Sequence, residues 1–126
     1  MPYSKPVIMV VDDDPAICAL LKRSLVNNQW ELSVFTSPEQ ALEYGKNNRI
    51  DLMITDISMP EMTGTELISR IKASKPDIPV IIISSSIDAN VMEENARHGV
   101  VDYFKKPFNL DALKSRVMAK LSLASE

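Results

Sequence analysis

The sequence predicts an α/β domain in which a doubly wound parallel sheet is covered by helices on both faces. Short apolar runs typical of fully buried strands alternate along the chain with segments whose apolar residues recur at helical spacing. The connections between these segments are short, and no repeat, linker or low-complexity stretch interrupts them. Because 126 residues are enough for one hydrophobic core and too few for two, a single domain is expected.

The first unit of the chain is predicted to be a strand, an acidic loop and a helix. Val7–Val11 is an uninterrupted run rich in β-branched residues, as in a strand covered on both faces. The run stops at Asp12-Asp13-Asp14-Pro15, where Asp14 suits the N-cap of a helix and Pro15 its first position. The apolar residues that follow recur at helical spacing: Ile17, Leu20, Leu21 and Leu25.

The second and third units repeat this alternation. A short strand is expected at Leu32–Phe35, and Ser37-Pro38-Glu39-Gln40 is a capping box that opens a helix ending near Lys46. Leu52–Thr55 is the third strand, and its helix is expected from Gly64 to about Ala73. Turn-forming residues separate these segments, which supports successive strand–helix units.

The fourth helix is expected to be the least firmly packed element. It follows Val80–Ile83, the most strand-like segment of the chain, and can run from Ile87 to His98, where Gly99 suits the position after a helix. Its predicted apolar face is thin and consists mainly of three residues: Val91, Met92 and Ala96. A helix with so little to bury gains little from packing against a sheet.

The fifth unit completes the predicted domain. Val100–Phe104 is the last strand, and Asn109 caps a final helix with a clear apolar stripe: Leu110, Leu113, Val117 and Leu121. The expected single domain spans residues 1–126, with a core of about 6–123.

Bulk composition excludes several classes of protein. With 45% apolar and 25% charged residues, the chain has an ordinary globular composition, and its apolar runs are far too short to span a membrane. Met1–Pro6 is too short and polar for a secretory leader. The single cysteine, Cys18, excludes an internal disulfide and fits a reducing cytoplasm. A net charge of −3 gives no electrostatic reason for direct contact with nucleic acid.

Polar side chains follow four of the predicted strands where these leave the sheet. The carboxyl ends of parallel strands share one edge, so five residues far apart in sequence are expected to meet there: Asp12, Asp13, Asp56, Ser84 and Lys106. Clustered carboxylates repel one another and favour a hard divalent cation such as Mg²⁺, and the same acidity argues against a flavin phosphate. A carboxylate, a metal, a lysine and a hydroxyl form a site for phosphoryl transfer, in which Asp56 would be the nucleophile that becomes an aspartyl phosphate.

Four motifs lie in order on the predicted strands and loops. They are Val10-Val11-Asp12-Asp13-Asp14-Pro15, Thr55-Asp56-Ile57-Ser58-Met59-Pro60 with Gly64, Ile78-Pro79-Val80-Ile81-Ile82-Ile83-Ser84, and Asp102-Tyr103-Phe104-Lys105-Lys106-Pro107-Phe108. Each motif alone is weak, but four in this order are highly specific. Over essentially the whole chain they resemble the receiver domain of two-component response regulators, similar to the single receiver fold of the chemotaxis type. The resemblance implies a flavodoxin-like sheet of strand order 2-1-3-4-5 with five helices.

The resemblance also implies which residues bind the phosphoryl group and the metal. Asp56 accepts a phosphoryl group from a histidine kinase or a phosphotransfer protein. The residues alone leave open which two of the three leading aspartates take part, and the resemblance selects Asp12 and Asp13. Mg²⁺, or Mn²⁺ in its place, is held by Asp13, Asp56 and the backbone carbonyl of Ser58, while Asp12 acts through bound water.

The remaining implied residues form a switch. Lys106 pairs with the phosphorylated site, and its peptide bond to Pro107 is cis. Ser84 moves toward the phosphoryl oxygens, and Tyr103 turns inward. The position of Tyr103 then reports the state of the site to the face formed by helix four, strand five and helix five.

The sequence does not show which protein or domain this switch acts on. No basic helix-turn-helix and no catalytic domain is recognisable, so the chain is either a stand-alone receiver that acts on a downstream protein or a receiver cut from a longer regulator with an output domain. A homodimer formed on phosphorylation through helices four and five, with Asp102 and Arg116 pairing between chains, is a further hypothesis. The chain is expected to be cytoplasmic and to catalyse only its own phosphorylation and dephosphorylation.

Two alternative functions share parts of this site. Aspartyl-phosphate phosphatases of the haloacid dehalogenase type resemble it chemically, but their Asp-x-Asp motif with a nearby threonine at the end of strand one is missing from Asp12-Asp13-Asp14-Pro15. They also need a cap or long insertions to enclose a substrate. The second alternative is a pseudo-receiver that only binds a partner, and the complete set of acids, hydroxyl and lysine argues against it.

Overall fold

Five parallel strands form one sheet, in the order β2-β1-β3-β4-β5, with helices on both faces. The computed structural model describes residues 5–125, with side chains through residue 121. The strands are β1 (Val7–Val11), β2 (Glu31–Phe35), β3 (Leu52–Thr55), β4 (Val80–Ser84) and β5 (Val100–Lys105). The helices are α1 (Pro15–Leu25), α2 (Pro38–Asn47), α3 (Gly64–Ser74), α4 (Ala89–Ala96) and α5 (Leu110–Ser125). The predicted fold class and strand order are confirmed.

The sheet separates two hydrophobic cores. Alternate residues of the central strands point to opposite faces, so Met9 and Val11 pack on one side while Ile8 and Val10 pack on the other. The first core is closed by buried residues of α2 and α3, and the second by buried residues of α1 and α5. Because β1, β3 and β4 are covered on both faces, their residues are apolar except for the last ones of β3 and β4, Thr55 and Ser84.

Side-chain caps fix where several helices begin. Asp14 accepts a hydrogen bond from the backbone N–H of Ala16 at 2.9 Å, and Asn109 accepts one from Ala112 at 2.9 Å. At α2, the Ser37 hydroxyl accepts from the N–H of Gln40 at 3.3 Å. Among the described contacts, the reciprocal bond of a full capping box is missing at α2. The predicted helix starts at Pro15 and Pro38 are confirmed.

Helix α4 packs through a different face from the one predicted. Met92 is 46% exposed and Ala96 is also exposed, whereas Asn95 is fully buried. The inward line of the helix therefore follows Val91 and Asn95, and it continues to the half-buried His98 in the turn after the helix. Val91 of the predicted apolar face lies on that line, but the prediction was wrong for Met92 and Ala96, which lie to its side.

The buried residue of α4 is also incompletely hydrogen-bonded. The amide nitrogen of Asn95 donates to the carbonyl of Val91 at 2.8 Å, while its Oδ1 has no hydrogen-bond partner among the described residues. A buried acceptor without a donor costs free energy, so Asn95 adds to the weak packing expected of this helix. Gly99 has a φ of 68°, in the left-handed region that favours glycine, but α4 ends at Ala96 rather than at the predicted His98, so a turn separates Gly99 from the helix.

Two further features of the fold are an ion pair between α5 and β5 and the character of its helices. Arg116 on α5 forms an ion pair with Asp102 on β5 of the same chain, so the pair that we expected between two chains is made within one. Among residues 5–125, no helix combines the length and apolar character needed to cross a membrane. The predicted domain also included residues 1–4 and 126, which lie outside the described part of the chain, as does most of Met1–Pro6.

Candidate functional site

The sheet brings two of the predicted carboxylates together at its carboxyl edge. Val11 at the end of β1 lies beside Thr55 at the end of β3. The next residues, Asp12 and Asp56, therefore leave the sheet as neighbours, and both are buried, with exposures of 0% and 5%. Held in this way, the two side chains have few conformations open to them, as chemistry at a fixed position requires.

Backbone amides orient the carboxylate of Asp56. Its Oδ1 accepts hydrogen bonds from the N–H of Ile57 at 2.6 Å and from the N–H of Ser58 at 3.2 Å. Its Oδ2 lies 3.0 Å from the ammonium nitrogen of Lys106, which donates a hydrogen bond to it. The two oxygens are therefore in different environments, one held by the loop and the other paired with a cation.

Lys106, the residue after β5, contacts both buried acids at the carboxyl edge of the sheet. Its backbone N–H donates to the carbonyl of Ser84 at 2.8 Å, which fixes the residue just beyond β5, and its peptide bond to Pro107 is cis. The ammonium nitrogen lies 2.7 Å from Asp12 Oδ2 and 3.0 Å from Asp56 Oδ2. Burial by itself lowers the pKa of Lys106, but its contacts with the two carboxylates raise the pKa on balance. The lysine therefore remains a cation at neutral pH.

Asp12 is the most deeply buried acid of the site. Its Oδ1 accepts from the N–H of Asp14 at 2.9 Å. Its Oδ2 forms an ion pair with the Lys106 ammonium at 2.7 Å. Burial raises the pKa of Asp12, and the lysine contact and the Asp14 N–H oppose that rise.

The acids fit a hard divalent cation. Asp12, Asp13 and Asp56 each offer a carboxylate oxygen, and these oxygens lie within 4.8 Å of one another. Asp13 is exposed, so the cluster opens to solvent on its side. An all-oxygen set with one open side suits Mg²⁺, which keeps several waters. Ser58 is joined to the cluster through its N–H, which donates to Asp56 Oδ1 at 3.2 Å.

The two predicted switch residues lie on β4 and β5. Ser84 ends β4 fully buried, and its hydroxyl accepts from the N–H of Ser86 at 3.3 Å. Tyr103 is half-buried on β5, and its hydroxyl donates to the carbonyl of Met92 on α4 at 3.3 Å. Burial raises the pKa of the Tyr103 hydroxyl. Among the described residues, no hydrogen bond joins either side chain to Asp56.

Sequence reasoning missed two polar contacts of the site. The Cys18 thiol on α1 donates to the carbonyl of Asp12 at 3.1 Å, and burial raises the pKa of that thiol. The Thr55 hydroxyl donates to the carbonyl of Asp56 at 2.9 Å. The one signal available was that Thr55 is a polar residue in the otherwise apolar strand β3.

Comparison with known proteins agrees with this geometry. The family model described as the response regulator receiver domain matches residues 8–118. The chain is 36% identical over 120 residues to the transcriptional regulatory protein PrrA of Mycobacterium tuberculosis, a match that covers 94% of this chain and 51% of the relative. It is 34% identical over 110 residues to the two-component response regulator ARR2 of Arabidopsis thaliana, covering 86% of this chain and 16% of the relative.

A solved structure shows the same fold. The response regulator receiver domain protein (CheY-like) of Methanospirillum hungatei superposes with a TM-score of 0.89 and 27% sequence identity, covering 94% of this chain and 95% of that one. The chain spans about half or less of the length of the curated relatives cited above. The match over residues 8–118, the strand order and the arrangement of acids and lysine lead to one assignment: this chain belongs to the response regulator receiver domain family.

Proposed function

We propose that the chain is a phosphoacceptor switch in which Asp56 receives a phosphoryl group from a histidine kinase or a phosphotransfer protein. One observation carries this proposal. The Asp56 carboxylate is held by backbone amides and faces the Lys106 ammonium at 3.0 Å, next to Asp12 and Asp13. A fixed carboxylate nucleophile beside a cation and an acidic metal site is the arrangement that phosphoryl transfer requires.

The transfer exchanges one bond to phosphorus for another. A carboxylate oxygen of Asp56 attacks the phosphorus of a phosphohistidine, and the O–P bond forms as the P–N bond breaks. The leaving imidazole nitrogen keeps the bonding electrons and takes a proton from solvent. Lys106 donates to a phosphoryl oxygen, since its ammonium already lies beside Asp56 Oδ2. Asp13, Asp56 and the Ser58 carbonyl would hold Mg²⁺, with Asp12 acting through water, and the bound ion would supply positive charge for the phosphoryl oxygens.

The switch begins at Ser84. To reach a phosphoryl oxygen on Asp56, the Ser84 hydroxyl gives up its present bond from the N–H of Ser86. Tyr103 then turns into the space left by Ser84 and gives up its bond to the Met92 carbonyl on α4. This exchange changes the exposed face made by α4, β5 and α5, where Met92 and Val101 are already 46% and 39% exposed.

The remaining parts of the proposal concern partners and location. The domain is one unit with a core of about 6–123, works in the cytoplasm, and catalyses only its own phosphorylation and dephosphorylation. It acts on a downstream protein or an appended output domain and makes no direct contact with nucleic acid. A homodimer through α4 and α5 forms on phosphorylation; if Asp102 and Arg116 pair between chains there, they must first leave their pairing within one chain.

Phosphorylation by a small donor tests the central claim. Incubation with Mg²⁺ and acetyl phosphate should add one phosphoryl group to the wild-type chain and none to Asp56→Asn, because the amide is not a nucleophile. Intact-mass spectrometry measures the adduct. Asp77→Asn, at an exposed acid in the loop before β4, is the matched control and should be phosphorylated like the wild type. An unmodified wild-type chain, or a full adduct on Asp56→Asn, would count against the assignment.

Thermal melting tests the metal site without phosphorylation. A ligand at a hundred times its Kd stabilises the folded state by about 2.7 kcal/mol, so Mg²⁺ should raise the Tm of the wild type. Asp13→Ala should fold normally, because Asp13 is exposed, but should lose most of this rise. Sodium chloride at equal ionic strength controls for general screening of charge. An equal rise in both proteins would show that the cation binds elsewhere.

A further inference from the structure

Thr55 is the one polar residue of β3, and it is fully buried. Its hydroxyl donates a hydrogen bond to the backbone carbonyl of the next residue, Asp56, at 2.9 Å. A valine would fill the same space without any hydrogen bond, and both residues are common in strands. The buried hydroxyl needs an acceptor, which the Asp56 carbonyl supplies, so packing alone does not explain why a threonine stands here.

The carbonyl that accepts this bond belongs to the same peptide group as the N–H of Ile57. That N–H donates to Oδ1 of Asp56 at 2.6 Å. A peptide group is planar, so fixing the direction of its C=O also fixes the direction of its N–H. Thr55 thus holds one end of a rigid unit whose other end holds the Asp56 carboxylate.

The orientation of the carboxylate decides which oxygen meets the cation. Oδ1 is occupied by the N–H groups of Ile57 and Ser58, and Oδ2 is left toward Lys106 at 3.0 Å. Rotation of the Asp56–Ile57 peptide would weaken the shortest of these bonds and free the side chain to turn. Small errors in the position of a nucleophile are costly, because the reacting atoms must approach along a narrow path.

We infer that Thr55 is a positioning residue for phosphoryl transfer: its hydroxyl sets the Asp56–Ile57 peptide, and the peptide sets the Asp56 carboxylate. The inference rests on the proposed function, in which Asp56 is the phosphoryl acceptor. Thr55 itself touches neither the phosphoryl group nor the metal. A purely structural hydroxyl, which only satisfies its own need for an acceptor, would leave the carboxylate and its reactivity unchanged when replaced.

Three variants distinguish a positioning role of Thr55 from a purely structural one. Thr55→Val removes the hydroxyl at almost constant volume, Thr55→Ser keeps it, and Thr36→Val makes the same change at an exposed site after β2. The maximal rate of phosphorylation by acetyl phosphate should fall roughly tenfold in Thr55→Val, with unchanged half-saturation by acetyl phosphate. It should stay within about twofold of wild type in Thr55→Ser and in Thr36→Val. Should Thr55→Val fail to fold, Thr55→Ala against Thr55→Ser gives the same comparison.

A second measurement needs no phosphorylation. The amide proton of Ile57 should resonate far downfield in the metal-free wild type because of its short bond to Oδ1, and should move upfield in Thr55→Val but not in Thr55→Ser. An unchanged Ile57 resonance in Thr55→Val overturns the inference, whatever happens to the rate. An unchanged rate overturns it as well. If the wild type itself takes no phosphoryl group, the proposed function fails, while the Ile57 resonance still decides whether Thr55 orients the peptide.

Discussion

Replacing Lys106 with methionine is expected to destabilise the metal-free domain by about 3 kcal/mol at neutral pH. The ammonium lies between Asp12 and Asp56, whose side chains are 0% and 7% exposed. Methionine keeps most of the side-chain volume but leaves two buried carboxylates without a compensating charge. Removal of one partner from a buried ion pair is more costly than loss of a surface pair for this reason. Chemical denaturation in the presence of EDTA measures the change in unfolding free energy.

The loss should depend on pH in a defined direction. Burial raises the pKa of Asp12, and Lys106 opposes that rise, so the pKa of Asp12 should be higher still in Lys106→Met. A carboxyl group whose pKa is higher in the folded chain binds its proton more tightly there. Its contribution to stability is present below the unfolded pKa and is lost as pH rises through the folded pKa. The deficit of Lys106→Met should therefore be small in acid and grow toward neutral pH.

Lys105→Met is the matched control for this experiment. Lys105 is the adjacent, exposed lysine of β5, so its replacement should change stability little at any pH. Mg²⁺ should recover part of the stability of Lys106→Met, since it places positive charge beside the same carboxylates. A deficit that is independent of pH, or equal for the two lysines, would show that Lys106 does not compensate the buried acids.

The sequence predicted those parts of the fold that depend on local patterns. Apolar runs identified β1, β3 and β4, because strands buried on both faces carry apolar side chains along nearly their whole length. These strand assignments also predicted that Asp12 and Asp56 are neighbours, since the carboxyl ends of parallel strands share one edge of the sheet. These predictions required only periodicity and topology.

Other features depend on the relative placement of elements and could not be predicted in this way. The inward face of α4 is set by how the helix docks on the sheet, and its weak pattern did not show that Asn95 would be buried. The pairing of Asp102 with Arg116 within one chain needs the rotation of α5 against β5. The bond from Thr55 to the Asp56 carbonyl depends on one side-chain rotamer. Residue spacing along the sequence predicts none of these three features.

Gly64→Ala is expected to be at least as damaging as the loss of Lys106. A Cβ at this position would lie 1.9 Å from the carbonyl oxygen of Asp56 and 2.9 Å from the Cα of Ile57. The Gly64 N–H also donates to the Ile57 carbonyl at 2.8 Å, so the start of α3 is tied to the loop that carries the acceptor. Both obstacles are backbone atoms, which cannot turn aside as a side chain can. Glycine is needed here for close approach between α3 and this loop.

The expected result is a loss of about 3 kcal/mol or more in unfolding free energy, with slower phosphorylation of Asp56 in whatever remains folded. Denaturation and the acetyl phosphate assay measure the two effects.

Gly45→Ala is the matched control: its Cβ would meet the side-chain ends of Ile71 at 2.6 Å and Ile50 at 3.2 Å. These ends can rotate, and alanine favours helix α2 by about 1 kcal/mol over glycine, so this variant should be close to neutral. Equal losses in both variants would indicate general crowding. If Gly64→Ala kept the stability and the phosphorylation rate of the wild type, α3 would be able to move away from the loop after Asp56 without displacing Asp56. The close packing of α3 against this loop would then not position the phosphoryl acceptor.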